Sequence, residues 1–375
     1  MNKLSISKDL SLGQKVKDLN WGLILLISIV AFIGFSSLYS AGSGDLSRWG
    51  MPQIMRFVVC FAGMLIVALI DIRIWHRLAY VIYAAGFLML LAVEVKGHVG
   101  MGAQRWIDFG FFNLQPSELM KIAVIIALAR YFHLHGPEDL RNIKMIIPAA
   151  FFIILPVGLV MMQPDLGTSL MIVMGGAAML WLAGVPAWLF ITGIVGTILS
   201  AFPFWHFMQD YQKQRVLTFL NPESDPLGAG YHITQSKIAL GSGGMSGKGF
   251  MEGTQSHLNF LPEKQTDFIF TLWAEEWGFV GGMGLLTLFT LIFIYCGWIS
   301  LRCRNRFTKL LSMGLMVNFA LYVIINIAMV MGLIPVVGVP LPLISYGGTS
   351  MLAAMGAFGL VMSCHVHRDS KIPKI

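Results

Sequence analysis

The sequence predicts an all-α integral membrane protein with ten transmembrane helices and one long extracytoplasmic loop between spans 7 and 8. Of its 375 residues, 56% are hydrophobic and only 12% are charged, with a mean hydropathy of +0.73. Soluble domains contain about a quarter charged residues. The apolar residues are also gathered into stretches long enough to cross a bilayer as helices. We therefore predict one polytopic domain, residues 1–375, instead of two or three soluble domains.

The apolar stretches define the spans in order. The first follows a polar, lysine-bearing tail, residues 1–20, that lacks the small-residue cleavage site of a signal peptide, so we expect this span to be retained. The ten predicted spans are residues 21–40, 53–71, 77–95, 117–135, 145–162, 165–184, 187–208, 275–301, 308–332 and 348–366. The large loop is predicted at residues 209–274 and a short C-terminal tail at 366–375.

The placement of Lys and Arg orients these spans. The side that holds both termini carries 16 of them, whereas the short connections on the opposite side carry five. Cytoplasmic loops hold the excess of positive charge in membrane proteins. Both termini are therefore predicted to be cytoplasmic, and the long loop faces outward. The net charge of +7 is then a topology signal and does not indicate nucleic-acid binding.

Ionisable residues stand at the outer ends of spans 4 and 6. Glu118 and Lys121 are three residues apart, so they share one helix face, and Asp165 begins span 6 at a similar height. Charges at this depth are costly and mark functional sites by default. The pattern favours a carboxylate–lysine–carboxylate cluster. It is either a buried network that joins two helices or a site for substrate phosphate or gating.

The long loop contains a glycine-rich segment, Gly241-Ser-Gly-Gly-Met-Ser-Gly-Lys-Gly249. It fails as a Walker A loop because Ser242 stands at the first glycine position and Gly249 replaces the required Ser or Thr. Its backbone amides could still hold a pyrophosphate beside Lys248 and Lys264. A plain flexible loop explains the same pattern equally well.

Asp267 opens the eighth apolar run and is the sharpest candidate for chemistry. Trp277 to Leu301 is long enough to span the bilayer by itself, so the residues from Asp267 to Glu276 need not cross it. They are predicted to form a half-helix or re-entrant start at the outer interface, with Glu275 two turns below Asp267. The alternative is a helix-capping aspartate. No Ser-His-Asp set, HExxH or CxxC motif competes with it.

Six motifs together resemble the SEDS family (shape, elongation, division and sporulation proteins), and the likeness covers essentially the whole chain. The motifs are Gly102-Ala-Gln-Arg-Trp-Ile-Asp108, Gln115-Pro-Ser-Glu118, Gln163-Pro-Asp-Leu-Gly-Thr168, Asn221-Pro-Glu-Ser-Asp-Pro-Leu-Gly-Ala-Gly-Tyr231, Leu261-Pro-Glu-Lys-Gln-Thr-Asp267 and Pro340-Leu-Pro-Leu-Ile-Ser-Tyr-Gly-Gly-Thr-Ser350. Short tails and the run Gly228 to Gly244 are more similar to the elongation branch of the family than to its division branch.

The resemblance implies a peptidoglycan glycosyltransferase that polymerises lipid II into glycan strands during cell-wall elongation and rod-shape maintenance. The site would lie on the periplasmic face of the bacterial inner membrane. Asp267 matches the family's proposed catalytic residue, and Glu118, Lys121 and Asp165 match its buried polar cluster. The implied partners are a class B penicillin-binding protein, other elongation-complex proteins and membrane lipid, with no nucleic acid.

The residues suit this chemistry. A lipid pyrophosphate is a good leaving group, so the second carboxylic acid of glycosidases is dispensable and one general base, Asp267, suffices. The candidate substrate-binding residues are Arg105, Trp106, Arg215, Lys248 and Lys264. No cofactor is fixed by the sequence and the metal ligands are unknown; a divalent cation, Mg²⁺ or Mn²⁺, is one candidate for neutralising the departing pyrophosphate.

Two other classes of function remain open. A lipid II flippase would also use many spans and intramembrane charges, but it needs alternating sites near the bilayer midplane. A scaffold for the penicillin-binding protein would leave Asp267 without a role.

Overall fold

The computed structural model describes residues 11–100, 103–110, 112–225, 228–258, 260–261 and 263–373. Gly102, Pro226, Leu227 and Pro262, which belong to three of the motifs, lie outside these ranges, as does most of the N-terminal tail. The helices are α1 Leu12–Lys17, α2 Trp21–Ala41, α3 Met51–Leu69, α4 Ile72–Lys96, α5 Pro116–Leu134, α6 Ile143–Met162, α7 Leu166–Ala183, α8 Ala187–Phe207, α9 Asp210–Leu220, α10 Ala229–Ser242, α11 Thr254–His257, α12 Ile269–Arg302, α13 Arg306–Val330 and α14 Gly348–Val366.

The long helices follow the predicted spans. In the described part of the chain, eight helical stretches are long and apolar enough to cross a membrane, and they contain α2, α3, α4, α6, α7, α12, α13 and α14. This confirms a multi-pass, mostly helical membrane protein. Helices α5 and α8 occupy the two other predicted spans; α5 carries three charged residues, and the apolar part of α8 is Ala187–Ser200.

Side-chain caps explain where several long helices begin. Asn20, Asp71, Asn142, Asp165 and Asn305 each accept a hydrogen bond from a backbone N–H in the first turn of the helix that follows. Such caps satisfy one of the N–H groups that a helix start leaves unpaired.

Helices α5 and α13 lie at the centre of the bundle. Helix α5 packs against α4, α6, α7, α13 and α14, and 15 of its 19 residues are buried. Around this centre, α3 packs on α14, and α12 packs on α2 and α13. A helix in this position can carry charges because they face other protein groups and not lipid.

The connection between α4 and α5 departs from the predicted all-α fold. Strands β1 His98–Gly100, β2 Ala103–Asp108 and β3 Asn113–Leu114 form an antiparallel sheet in the order β1-β2-β3. The expectation was wrong for this segment because hydropathy identifies helices that cross the membrane and says little about short connections. Strand pairing satisfies the backbone polar groups of this segment where it covers the bundle.

Helix α12 is split at Gly278, whose backbone has φ 63° and ψ −161°. The glycine-rich segment pairs with the split: the N–H groups of Lys248 and Gly249 donate to the carbonyls of Glu275 and Glu276, each at 3.1 Å. After the split, Phe279 N–H donates back to the carbonyl of Gly244 at 2.9 Å. We call residues 243–249 and 274–280 together the glycine clasp.

The glycine clasp requires glycine because the backbones of its two segments, residues 243–249 and 274–280, approach each other very closely. A Cβ on Gly247 would collide with the carbonyl of Glu276, and one on Gly278 would collide with the backbone nitrogen of Gly247. Both residues also have positive φ. The segment is therefore neither a free phosphate cradle nor a plain flexible loop, since the N–H groups of Lys248 and Gly249 are bound to α12 and that of Gly247 is bound to the carbonyl of Gly243. The part of α12 before Gly278 fits the predicted half-helix.

Candidate functional site

Asp267 lies in the turn that precedes α12. The helix is capped at Phe268, without a side-chain hydrogen bond, and the N–H groups of Thr271 and Leu272 donate to the Phe268 carbonyl. The capping interpretation of Asp267 is therefore wrong. Helix α12 begins at Ile269, within the region 209–274 predicted as the large loop, where the sequence also predicts a half-helix ahead of the span.

The environment of the Asp267 carboxyl makes it more basic than an ordinary aspartate. Burial and, to a smaller extent, the neighbouring carboxylates Glu263 and Asp165 raise its pKa, Arg215 acts in the opposite direction, and the net result is a pKa of about 6. The backbone of Gly338 lies next to the carboxylate, since a Cβ added to Gly338 would be 3.5 Å from Asp267 Oδ2. A carboxyl with this pKa is mostly ionised at neutral pH and accepts a proton more readily than a surface aspartate.

Glu118 and Lys121 form the predicted ion pair inside α5. Lys121 Nζ lies 2.7 Å from Glu118 Oε1, and both residues are buried. Tyr322 of α13 completes the group: its hydroxyl donates to Glu118 Oε2, and its ring lies 4.3 Å from Lys121 Nζ. The cluster thus ties α5 to α13 and satisfies both buried charges.

Asp165 belongs to a different group from the lysine pair. Its carboxylate accepts hydrogen bonds from Thr168 N–H at 3.1 Å and from Gln115 Nε2 at 3.2 Å. Arg105 Nε lies 3.8 Å from Asp165 Oδ2 and donates to the Gln163 carbonyl at 3.1 Å. In the described part of the chain Asp165 is therefore paired with Arg105 and not with Lys121, and its charge acts both on Asp267 and on Tyr322 of the lysine cluster.

The two lysines of the loop are engaged with protein groups. Lys248 Nζ lies 2.8 Å from Glu275 Oε1, and that fully buried carboxylate also accepts from the N–H groups of Gln255 and Ser256. Lys264 is buried and donates to the Ser256 carbonyl at 2.7 Å. Burial, with the charge of Arg48, lowers the pKa of Lys264.

The remaining sequence candidates are Arg215 and Trp106. Arg215 lies on α9, is partly buried, and lowers the pKa of Asp267, so it faces the same region. Trp106 is partly buried in β2, opposite His98 of β1. The structure thus brings Asp267, Asp165, Arg105 and Arg215 into one region and places the Glu118–Lys121 pair deeper in the bundle.

Sequence reasoning missed several polar residues beside this region. Tyr322 and Asn326 lie within the apolar run of span 9, and Ser345 lies in the Pro340–Ser350 motif. Arg56, whose guanidinium lies 4.5 Å from the ring centre of Tyr346, was considered only as a topology charge. A polar side chain inside an apolar run was the available signal for Tyr322 and Asn326.

No group of three or more His, Cys, Asp or Glu residues among the described positions is arranged to hold a metal ion. The candidate role of Mg²⁺ or Mn²⁺ therefore stays a prediction without assigned ligands.

The fold and site define a polytopic membrane protein with an acidic site beside a long loop. The family model described as Cell cycle protein (FTSW_RODA_SPOVE) matches residues 16–370. The chain is 44% identical over 352 residues to the peptidoglycan glycosyltransferase MrdB of Escherichia coli K12, covering 92% of this chain and 93% of that protein. It is 32% identical over 429 residues to RodA of Treponema pallidum, covering 94% and 99%.

Two solved structures share the fold. A chain from a study of polymerization and crosslinking by a peptidoglycan synthase complex has a TM-score of 0.80 and 30% identity, with 94% of this chain and 99% of that chain covered. The crystal structure of RodA from Thermus thermophilus has a TM-score of 0.69 and 28% identity, with coverage of 94% and 98%. The chain belongs to the SEDS family, and the matches support a RodA-like elongation member.

Proposed function

We propose that this protein is a peptidoglycan glycosyltransferase that polymerises lipid II into glycan strands during cell-wall elongation, with Asp267 as the general base. Relatives that cover nearly the whole chain carry the name peptidoglycan glycosyltransferase. The observation that supports the base assignment best is Asp267 itself, a carboxyl that caps no helix and has a pKa of about 6.

The reaction needs one proton acceptor and a site for a departing diphosphate. Asp267 takes the proton of the acceptor sugar hydroxyl while that oxygen forms a bond to the anomeric carbon of the donor. The bond from that carbon to the lipid pyrophosphate breaks, and the pyrophosphate leaves with the electron pair. Protonation of this leaving group is not required, so one carboxylate is enough.

Cationic groups near Asp267 would stabilise the charge on the pyrophosphate. Arg215 is the strongest candidate because it already acts on Asp267 electrostatically. Arg105 is held beside Asp165, and Trp106 follows it in β2. Lys248 and Lys264 would have to leave Glu275 or the Ser256 carbonyl to reach a ligand, which makes them weaker candidates.

The proposed topology has ten spans, with both termini in the cytoplasm and the region of residues 209–274 in the periplasm. The charge count of 16 against five supports this orientation. It places Asp267 at the outer face of the inner membrane.

The proposed partner is a class B penicillin-binding protein, within a larger elongation complex. The matched chain from a peptidoglycan synthase complex supports an assembly in which polymerisation and crosslinking are coupled. Lipid II is the substrate, and membrane lipid surrounds the spans.

Polymer formation in detergent separates this function from a flippase or a scaffold. The purified partner-bound protein, given lipid II in micelles, should form glycan strands although no second compartment exists. Strand formation requires an enzyme and leaves room for additional flipping. A folded complex that forms no polymer in micelles, but moves lipid II across the bilayer of vesicles, would favour the flippase.

A further inference from the structure

Consecutive carbonyl groups in front of α12 are bound by donors from another part of the chain. Tyr346 N–H donates to the Gln265 carbonyl at 2.8 Å, and Ser345 Oγ donates to the Thr266 carbonyl at 2.6 Å. Both donors lie in the connection between α13 and α14. The backbone that leads into Asp267 is therefore fixed by tertiary contacts and not by the helix that follows it.

A third donor binds the carbonyl of Asp267 itself. Asn326 of α13 is fully buried, and its Nδ2 donates to the Asp267 carbonyl at 2.9 Å and to the Val339 carbonyl at 2.7 Å. Val339 follows Gly338, the residue that faces Asp267 Oδ2. The side-chain amide of Asn326 thus links the backbone of Asp267 to the Gly338–Val339 backbone opposite its carboxylate and sets the distance between them.

The connection that supplies Ser345 is itself anchored. The buried Gln53 of α3 donates from Nε2 to the Ser345 carbonyl at 3.0 Å, and its Oε1 accepts from Gly347 N–H at 3.4 Å. Ser345 Oγ also accepts from Leu341 N–H at 2.7 Å, which fixes the direction in which the hydroxyl donates. The Ser345 hydroxyl is consequently held in one orientation.

We propose that Ser345 and Asn326 are positioning residues that hold the Asp267 carboxylate in its reactive place. This inference rests on the proposed function, because it assumes that Asp267 takes the proton. A general base must lie about 2.6–3.2 Å from the hydroxyl that it deprotonates. A displacement of about 1 Å can lower a rate about a hundredfold. Fixing consecutive carbonyls removes the backbone motions that would produce such a displacement.

The test compares two serines with the same buried bond. Ser345→Ala removes the donor to the Thr266 carbonyl, and Ser363→Ala removes a 2.8 Å bond from a buried serine of α14 to the Ile70 carbonyl, far from Asp267. Ser345→Ala also removes the acceptor of the Leu341 N–H group, so we expect it to melt somewhat lower than Ser363→Ala, with both variants folded at the assay temperature. Only Ser345→Ala should lose turnover, by about tenfold or more in kcat with KM changed less than about twofold.

Two further variants test the same positioning role. Ser345→Thr retains the hydroxyl and should recover most of the lost kcat. Asn326→Ala leaves two buried carbonyls without their donor, so it will also lower stability. Compared with Ser363→Ala, its kcat should nevertheless fall by more than the loss of stability explains.

The outcomes distinguish this inference from the proposed function. If Ser345→Ala turns over like Ser363→Ala while Asp267→Asn is inactive, the positioning role is wrong and the base assignment stands. If Asp267→Asn polymerises at the wild-type rate, the base assignment itself is wrong. If the positioning role and the base assignment are both correct, adding Ser345→Ala to Asp267→Asn should cost no further activity, because the serine acts through that carboxylate.

Discussion

The Asp267 carboxyl ionises at a higher pH than a surface aspartate, and this difference is measurable in the reaction. Burial and the nearby carboxylates raise its pKa to about 6, so the base form predominates above that pH and is lost progressively below it. We expect kcat/KM of the partner-bound enzyme to fall about tenfold per pH unit below about pH 6. The measurement is polymerisation between pH 5 and 8.

The control for this profile is Glu252→Gln, which neutralises an exposed carboxylate of the same loop region. Its profile should match that of the wild type. A wild-type rate that stays constant down to pH 5 would show that Asp267 does not act as the base with this pKa.

The buried pair of Glu118 and Lys121 predicts an asymmetry between single and double variants. Glu118→Gln leaves Lys121 buried without its carboxylate, and Lys121→Met leaves Glu118 with only the Tyr322 hydroxyl. Each single change should destabilise the protein by about 3–5 kcal/mol, whereas the double variant should cost less than either.

Thermal denaturation in detergent measures these three variants, and activity at a temperature where all are folded separates stability from function. Single variants that melt like the wild type and turn over normally would show that the pair has no structural or functional role.

At the scale of elements, the glycine clasp determines the shape of α12. Gly247→Ala should displace the carbonyl of Glu276 and strain a backbone with φ of 80°, thereby loosening the split helix. The matched control is Gly241→Ala in α10, where an added Cβ meets no other atom within 4 Å. Gly247→Ala should lower the melting temperature and increase proteolysis of the loop, while Gly241→Ala, a change within a helix, should leave proteolysis unchanged and keep or slightly raise the melting temperature.

Equal melting temperatures and equal proteolysis for the two alanine variants would contradict the clasp. Gly278→Ala provides a second site in the same contact, because its Cβ would collide with the backbone of Gly247 from the other side.

The long helices were predictable because each needs an apolar stretch of about 20 residues to cross the hydrocarbon core, and α14 has the same bounds as its predicted span. The clasp was not predictable, since glycine-rich segments that bind a ligand and those that bind another backbone have the same composition. The sheet between α4 and α5 was missed because short strands carry a weak pattern.

Only part of the site could be predicted from the sequence. Asp267, Glu118, Lys121 and Asp165 are charges in apolar surroundings, which sequence alone reveals. The separation of Asp165 from Lys121 depends on how α5 and α7 meet, and Asn326 contacts Asp267 across 59 residues of chain. Such contacts follow from packing, and no local pattern specifies them.

At the scale of the whole molecule, a buried pair of central helices supports the site at one end of the bundle. Helices α5 and α13 are enclosed by the others, and α13 carries both Tyr322 and Asn326. The same helix therefore supports the ion pair inside the bundle and the carbonyl of Asp267 at its edge. This arrangement suits an enzyme with a fixed site on one side better than a transporter that must open alternately to both sides.

The most direct measurement is glycan polymerisation by purified, partner-bound Asp267→Asn with lipid II in detergent, compared with the wild type and Glu252→Gln. Asparagine is nearly isosteric with aspartate but cannot take the proton, so we expect a loss of about 10²–10⁴-fold in rate with complex formation intact. Glu252→Gln should polymerise normally. Polymer from Asp267→Asn at a rate near that of the wild type would contradict the assignment of Asp267 as the general base.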